Sequence, residues 1–154
     1  MRKFFLTLGY SGLFPKAPGT AGSFISLLLA IALLQILNIT NLFMMAILIS
    51  IIAIKQIDIY EQEVREHDSK EIVIDELAGM WITLGFAGAT SNSWLIFILS
   101  FIFFRLFDIY KPSIIGKIDR DVKGGLGVMG DDIVAGFFAG LLTSLVYYLG
   151  SFVH

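Results

Sequence analysis

Five apolar runs dominate the chain, at roughly 23–37, 41–57, 77–89, 94–107 and 133–153. They lack the polar stripe of surface helices, so the pattern predicts helices that are hydrophobic all round. Only the last run reaches the roughly 20 residues of a full membrane span. The others can extend through their flanks, with packing or local bilayer thinning absorbing the mismatch. Polar positions fall between the runs in a strict order. Every Lys, Arg, Asp and Glu lies within 2–16, 55–76 or 105–132, whereas the connections 38–41 and 88–93 and the tail 150–154 have none. Charged and uncharged connections therefore alternate, as five spans with all charged segments on one side require. Lysine and arginine mark the cytoplasmic side. The expectation is an all-α, multi-pass membrane bundle of about five helices, amino terminus inside, carboxyl terminus outside, with its polar site at the cytoplasmic face. A soluble bundle of buried helices is the competing arrangement. The length suits one domain, 1–154.

Local signals refine this outline. Residues 1–22 contain Gly12, Pro15, Pro18, Gly19 and Gly22, a density that predicts a loop rather than a helix. Thr20 or Ser23 is then the expected N-cap of the first apolar helix. Segment 55–76 reads as a helix leaving the membrane: Ile57, Ile59, Tyr60 and Val64 form its apolar face and Glu61/Arg65 an i,i+4 pair. His67-Asp68-Ser69 ends it, and Ile72-Val73-Ile74 leads back. Gly136 and Gly140, with Ala135 and Ala139, favour close helix packing inside the protein over a dimer contact.

Composition supports the membrane assignment. The chain is 56% hydrophobic with a mean hydropathy of +0.82, and 16% charged, below the roughly 25% of soluble domains. A net charge of −2 supplies no polybasic surface for nucleic acid. The absence of cysteine excludes disulfides, thiolate nucleophiles and Cys-ligated zinc. The first apolar stretch stops at Gly9 with no cleavage site after it, so no signal peptide is expected.

The charges that remain are concentrated where chemistry is plausible. Residues 104–136 pack two arginines, three lysines and five aspartates between two apolar runs, and polar groups kept beside a membrane core mark a functional site by default. Asp75 and Glu76 open the run Leu77–Trp81. Capping of a helix dipole is one explanation for them, catalysis the other. Together with Asp108, Asp131 and Asp132 they put five acids at three helix ends. Unpaired, these carboxylates repel one another. Hard oxygen ligands without cysteine suit Mg²⁺ better than zinc, while an ion-pair network with Arg105, Lys111 and Lys123 is the alternative. Arg105, Asp108 and Lys111 are spaced to share a helix face. Lys16, Arg105 and Lys111 are candidate phosphate ligands, and the stretch 18–23, with Gly19, Thr20, Gly22 and Ser23, offers free N–H groups at a helix start. The Gly124–Gly127 turn is a candidate second nest. Metal plus phosphate cradle at a bilayer surface points to phosphoryl chemistry on a lipid headgroup.

Several motifs occur in a fixed order: Pro15–Ser23, His67-Asp68, Asp75-Glu76 with Gly79–Leu84, Phe104-Arg105 with Phe107-Asp108 and Lys111-Pro112, Asp119, and Gly124–Met129 with Asp131-Asp132 and Ala135-Gly136. With them the chain resembles the phosphatidylglycerophosphatase A family over nearly its whole length. The resemblance implies a bacterial inner-membrane enzyme that needs Mg²⁺ and hydrolyses phosphatidylglycerophosphate to phosphatidylglycerol and phosphate. From the clustered acids and the cations beside them, Asp75, Glu76, Asp108, Arg105 and Lys111 are the expected catalytic residues. Asp75, Glu76, Asp108, Asp131 and Asp132 are the expected metal ligands. A phosphatase for another phospholipid or a polyprenyl phosphate, or a cation-binding transporter, are the alternatives. No nucleic-acid partner is expected, and the sequence is silent on oligomeric state.

Overall fold

The computed structural model describes residues 1–64 and 69–151, and among them it is all-helical, without strands. The elements are α1 (Arg2–Leu6), a 3-10 turn (Ser11–Leu13), α2 (Pro18–Leu33), α3 (Ile39–Val64), α4 (Ile74–Ala87), α5 (Trp94–Tyr110), α6 (Ile114–Asp121) and α7 (Gly125–Ser151). Each apolar run falls on one helix, and α1 and α6 are additional. Helices α3 and α7 are long and apolar enough to cross a membrane. Helices α2, α4 and α5 have 16, 14 and 17 residues. Glu61/Arg65 and His67-Asp68 fall partly or wholly on residues 65–68, outside the described residues, as does His154.

Three local expectations are corrected. The amino-terminal stretch is not a loop throughout: α1 and the 3-10 turn lie in it, and α2 begins at Pro18. Proline fits the first helical position because the N–H it lacks has no intrahelical partner there. The N-cap is consequently Ala17, not Thr20 or Ser23. The glycine-rich turn is likewise shorter than expected. Gly124 takes a left-handed conformation (φ 74°) and α7 starts at Gly125, so Asp131 and Asp132 sit in its second turn. Finally, Lys111 caps α5 with φ 42°, which turns it off the helix face it was expected to share with Asp108.

Helix α4 is the central element. Leu77, Ala78, Met80, Trp81, Ile82 and Leu84 are all buried, and α2, α3, α5 and α7 pack around it. Its 14 residues rise about 21 Å, short of the roughly 30 Å hydrocarbon core. Its neighbours cover it instead. The tightest contact is with α7, where small residues let the backbones meet: a Cβ on Gly136 would lie 2.4 Å from the Gly79 carbonyl oxygen, and one on Gly140 would lie 2.7 Å from that of Thr83. A Cβ on Gly79 would strike the Phe104 ring at 2.6 Å and the Asp132 carbonyl oxygen at 2.8 Å. The GxxxG pair thus serves internal packing. Trp81 closes the opposite side, its Nε1–H donating to the Ser26 carbonyl at 2.9 Å.

Gly136→Val should therefore destabilise the fold by about 1–3 kcal/mol through overpacking. Gly150→Ala, with no atom near its Cβ position, should be neutral. Thermal unfolding in detergent checks both.

Candidate functional site

The seam brings the acid-bearing ends of three helices together. Glu76 in the first turn of α4, Asp108 near the end of α5 and Asp132 in α7 each offer a carboxylate oxygen, all within 4.8 Å of one another. Glu76, Asp131 and Asp132 are buried. Asp75 precedes Glu76 and accepts its backbone N–H at 2.9 Å. Beside them lies a cavity of about 190 Å³ whose lining includes Gly19, Lys70, Asp75, Glu76, Asp108, Lys111, Asp119, Asp131 and Asp132.

Two cations are built into the acid cluster. Arg105 Nη1 reaches Glu76 Oε1 and Oε2 at 2.7 and 2.8 Å, Asp108 Oδ2 at 2.6 Å and Ser23 Oγ at 3.1 Å. The Ser23 hydroxyl in turn lies within donor reach of Glu76 Oε2 and of the Gly19 carbonyl. Arginine cannot lose its proton here, so it is a permanent counter-charge. Lys111 Nζ bridges Asp119 and Asp131, the latter at 2.6 Å. Burial works against the Lys111 ammonium. The hydrogen bonds it donates to Asp119 and Asp131 outweigh that burial, so its pKa is raised above the ordinary lysine value.

Charge remains in excess even so. Six carboxylates line the cavity, against Arg105, Lys111 and Lys70. Asp131 Oδ1 is buried without a hydrogen-bond partner. Such a set is short of positive charge and rich in free oxygen lone pairs, so the residues present can hold a metal ion. Carboxylate oxygens suit hard divalent cations.

The expected phosphate ligands separate into groups. Gly19 lines the cavity, and the first turn of α2 leaves the N–H groups of Gly19 and Thr20 without a helical acceptor. A Cβ on Gly19 would lie 2.2 Å from Glu76 Oε1. This is the space in which the Glu76 carboxylate fits. The Thr20 hydroxyl accepts from Arg105 Nη2 at 3.3 Å. Ser23 is fully buried behind Glu76, and Gly22 packs against Val73. Lys16 is exposed and is not among the residues lining the cavity. The Gly124–Gly127 nest is corrected: Gly125 N–H donates to Asp58 Oδ1 at 2.6 Å and Gly127 N–H to the Gly124 carbonyl at 3.0 Å, so those donors serve the fold.

Sequence reasoning gave no site role to Asp119 or Lys70. Asp119 follows Lys111 by eight residues across Pro112, and only the turn into α6 brings them together. The one available signal was the place of Asp119 among the motifs that occur in fixed order along the chain.

The family model described as "Phosphatidylglycerophosphatase A" matches residues 4–147. A protein of that name from Escherichia coli (strain K12) is 36% identical over 149 residues, 94% of this chain and 81% of its own. One from Haemophilus influenzae is 33% identical, covering 93% of this chain and 87% of its own. A Bacteroides thetaiotaomicron protein named "Putative phosphatidylinositol-3-phosphatase" is 34% identical, covering 90% and 89%. No solved structure matches.

Removing Arg105 should expose the repulsion it offsets. Arg105→Met leaves buried Glu76 and half-buried Asp108 without their cation, a loss of about 3–5 kcal/mol. Adding Glu76→Gln should restore part of that stability. A double-mutant cycle of unfolding free energies in detergent measures the coupling.

Proposed function

The chain belongs to the phosphatidylglycerophosphatase A family, and from that membership and the site geometry we propose that it is a Mg²⁺-dependent lipid phosphatase that converts phosphatidylglycerophosphate to phosphatidylglycerol and inorganic phosphate. The observation that carries the proposal is the trio of buried Glu76, half-buried Asp108 and buried Asp132, its oxygens within 4.8 Å, on the wall of a cavity of about 190 Å³.

Asp75, Glu76, Asp108, Asp131 and Asp132 would hold the ion or ions. When bound, Mg²⁺ would polarise the phosphate and acidify a water. The residues of the chain supply the rest. The N–H groups of Gly19 and Thr20 face anionic oxygen at the positive end of α2. Arg105 and Lys111 stabilise charge on the transferred phosphoryl group. Ser23 and the space at Gly19 fix Glu76 against Arg105. The apolar flanks of α5 and α7 accommodate acyl chains. In the net reaction a water oxygen bonds to phosphorus, the P–O bond to glycerol breaks, and the leaving oxygen takes up a proton. The three charged segments support a multi-pass arrangement in a bacterial inner membrane, with the site on the cytoplasmic face.

A second activity is favoured by one observation, the 34% identity to the Bacteroides protein. The same chemistry would then act on another lipid phosphomonoester. A cation transporter fits less well, because transport sites lie near the bilayer midplane and these acids lie towards helix ends.

Phosphate release from phosphatidylglycerophosphate by detergent-purified protein should require Mg²⁺ and stop with chelator. Asp132→Asn should reduce turnover at least about a hundredfold while the protein still inserts into membranes. Near-normal turnover by that variant would remove Asp132 from the ligand set. Release only from other lipids in a panel would select the second activity.

A further inference from the structure

We propose that Lys70 is the residue that captures the substrate's terminal phosphate at the cavity, an inference that rests on the phosphomonoesterase activity proposed above. Lys70 lines the cavity and is exposed. No hydrogen bond or ion pair engages it among the described residues. The other two cations of the site differ in this respect. Arg105 is committed to Glu76 and Asp108, and Lys111 to Asp119 and Asp131. Both act on the phosphoryl group from fixed positions among these carboxylates, whereas Lys70 has no such partner and can close on the incoming anion.

The backbone beneath Lys70 is fixed. Ile72 N–H donates to the Ser69 carbonyl at 2.9 Å, closing a turn with Lys70 at its second position. Ser69 and Ile72 are buried. Glu71 is tied to Lys3 at 2.7 Å, and Val73 N–H donates to the Leu6 carbonyl at 3.0 Å. The turn is therefore held by buried Ser69 and tied down on its carboxyl-terminal side, with its lysine left free at the cavity.

The electrostatics favour such a group. A phosphomonoester carries a charge of about −1.5 to −2 near neutral pH, and six carboxylates line the space it must enter. One mobile ammonium at the cavity offsets that repulsion and raises the local concentration of the anion. Its contribution is the same before and during bond breaking, so it lowers KM without changing kcat. The lipid-borne phosphate and free phosphate share this chemistry.

Two measurements test the assignment. The first is KM and kcat for phosphatidylglycerophosphate with wild type, Lys70→Met, Lys70→Arg and Lys70→Glu. The second is calorimetric titration of inorganic phosphate into the same proteins with Mg²⁺ present. Lys70→Met should raise KM about tenfold, the loss of one charge-assisted contact, with kcat within about twofold. Lys70→Arg should restore binding, and Lys70→Glu should weaken it further. A shift in KM alone assigns the contact to the lipid-borne phosphate. Weaker phosphate binding with KM unchanged places Lys70 at a free-anion site and overturns its role in capturing the substrate. A fall in kcat at constant KM overturns the proposal, as does no change in either measurement. Lys70-dependent phosphate binding by a protein that hydrolyses no lipid would keep the proposal and overturn the lipid phosphatase activity.

Discussion

The structure depends on the contact between α4 and α7, where Gly79 and Gly136 remove the side chains that would hold the two backbones apart. Helices in a lipid-like environment gain little from hydrophobic exclusion, so close van der Waals contact between small residues has to supply the association. This seam also determines chemistry. The Asp132 carbonyl lies against Gly79, three residues beyond Glu76. Closing the seam therefore brings the carboxylates of two helices to within ligand distance of each other and of Asp108. Packing in the apolar body and geometry in the polar end are one constraint.

Electrostatics decides what that geometry is for. Gathering acids in a poorly solvated place is unfavourable unless positive charge accompanies them. The protein supplies part of it internally, through Arg105 between Glu76 and Asp108 and Lys111 between Asp119 and Asp131. The remaining carboxylate charge could be met by a bound metal ion. A stability-driven site would have used fewer acids or more bases. The residual charge suits the binding role proposed above, in keeping with membership of the phosphatidylglycerophosphatase A family.

Much of this was legible in the sequence because hydrophobic runs and isolated charges are strong signals. The five runs mark α2, α3, α4, α5 and α7, and the acids at their edges, Asp75, Glu76, Asp108, Asp131 and Asp132, line one cavity. What was not legible depends on backbone choices that residue type leaves open. Pro18 and its glycines look like a loop, yet proline at a first helical position starts α2. Gly124–Gly127 also looks like a turn, yet all but Gly124 are helical. The left-handed conformation of Lys111 redirects its ammonium from Asp108 to Asp119, and no spacing rule anticipates that. Lys70 had no periodic neighbour to mark it. Its position follows only from a turn anchored through residues far away in sequence.

The most direct measurement is the binding of Mn²⁺, a paramagnetic stand-in for Mg²⁺, to the purified protein followed by electron paramagnetic resonance. Saturable binding that Mg²⁺ displaces, and that Glu76→Gln abolishes in a protein that still folds, is the predicted result. No saturable binding, or binding indifferent to Glu76→Gln, would contradict the assignment of the three converging helix ends as a metal site.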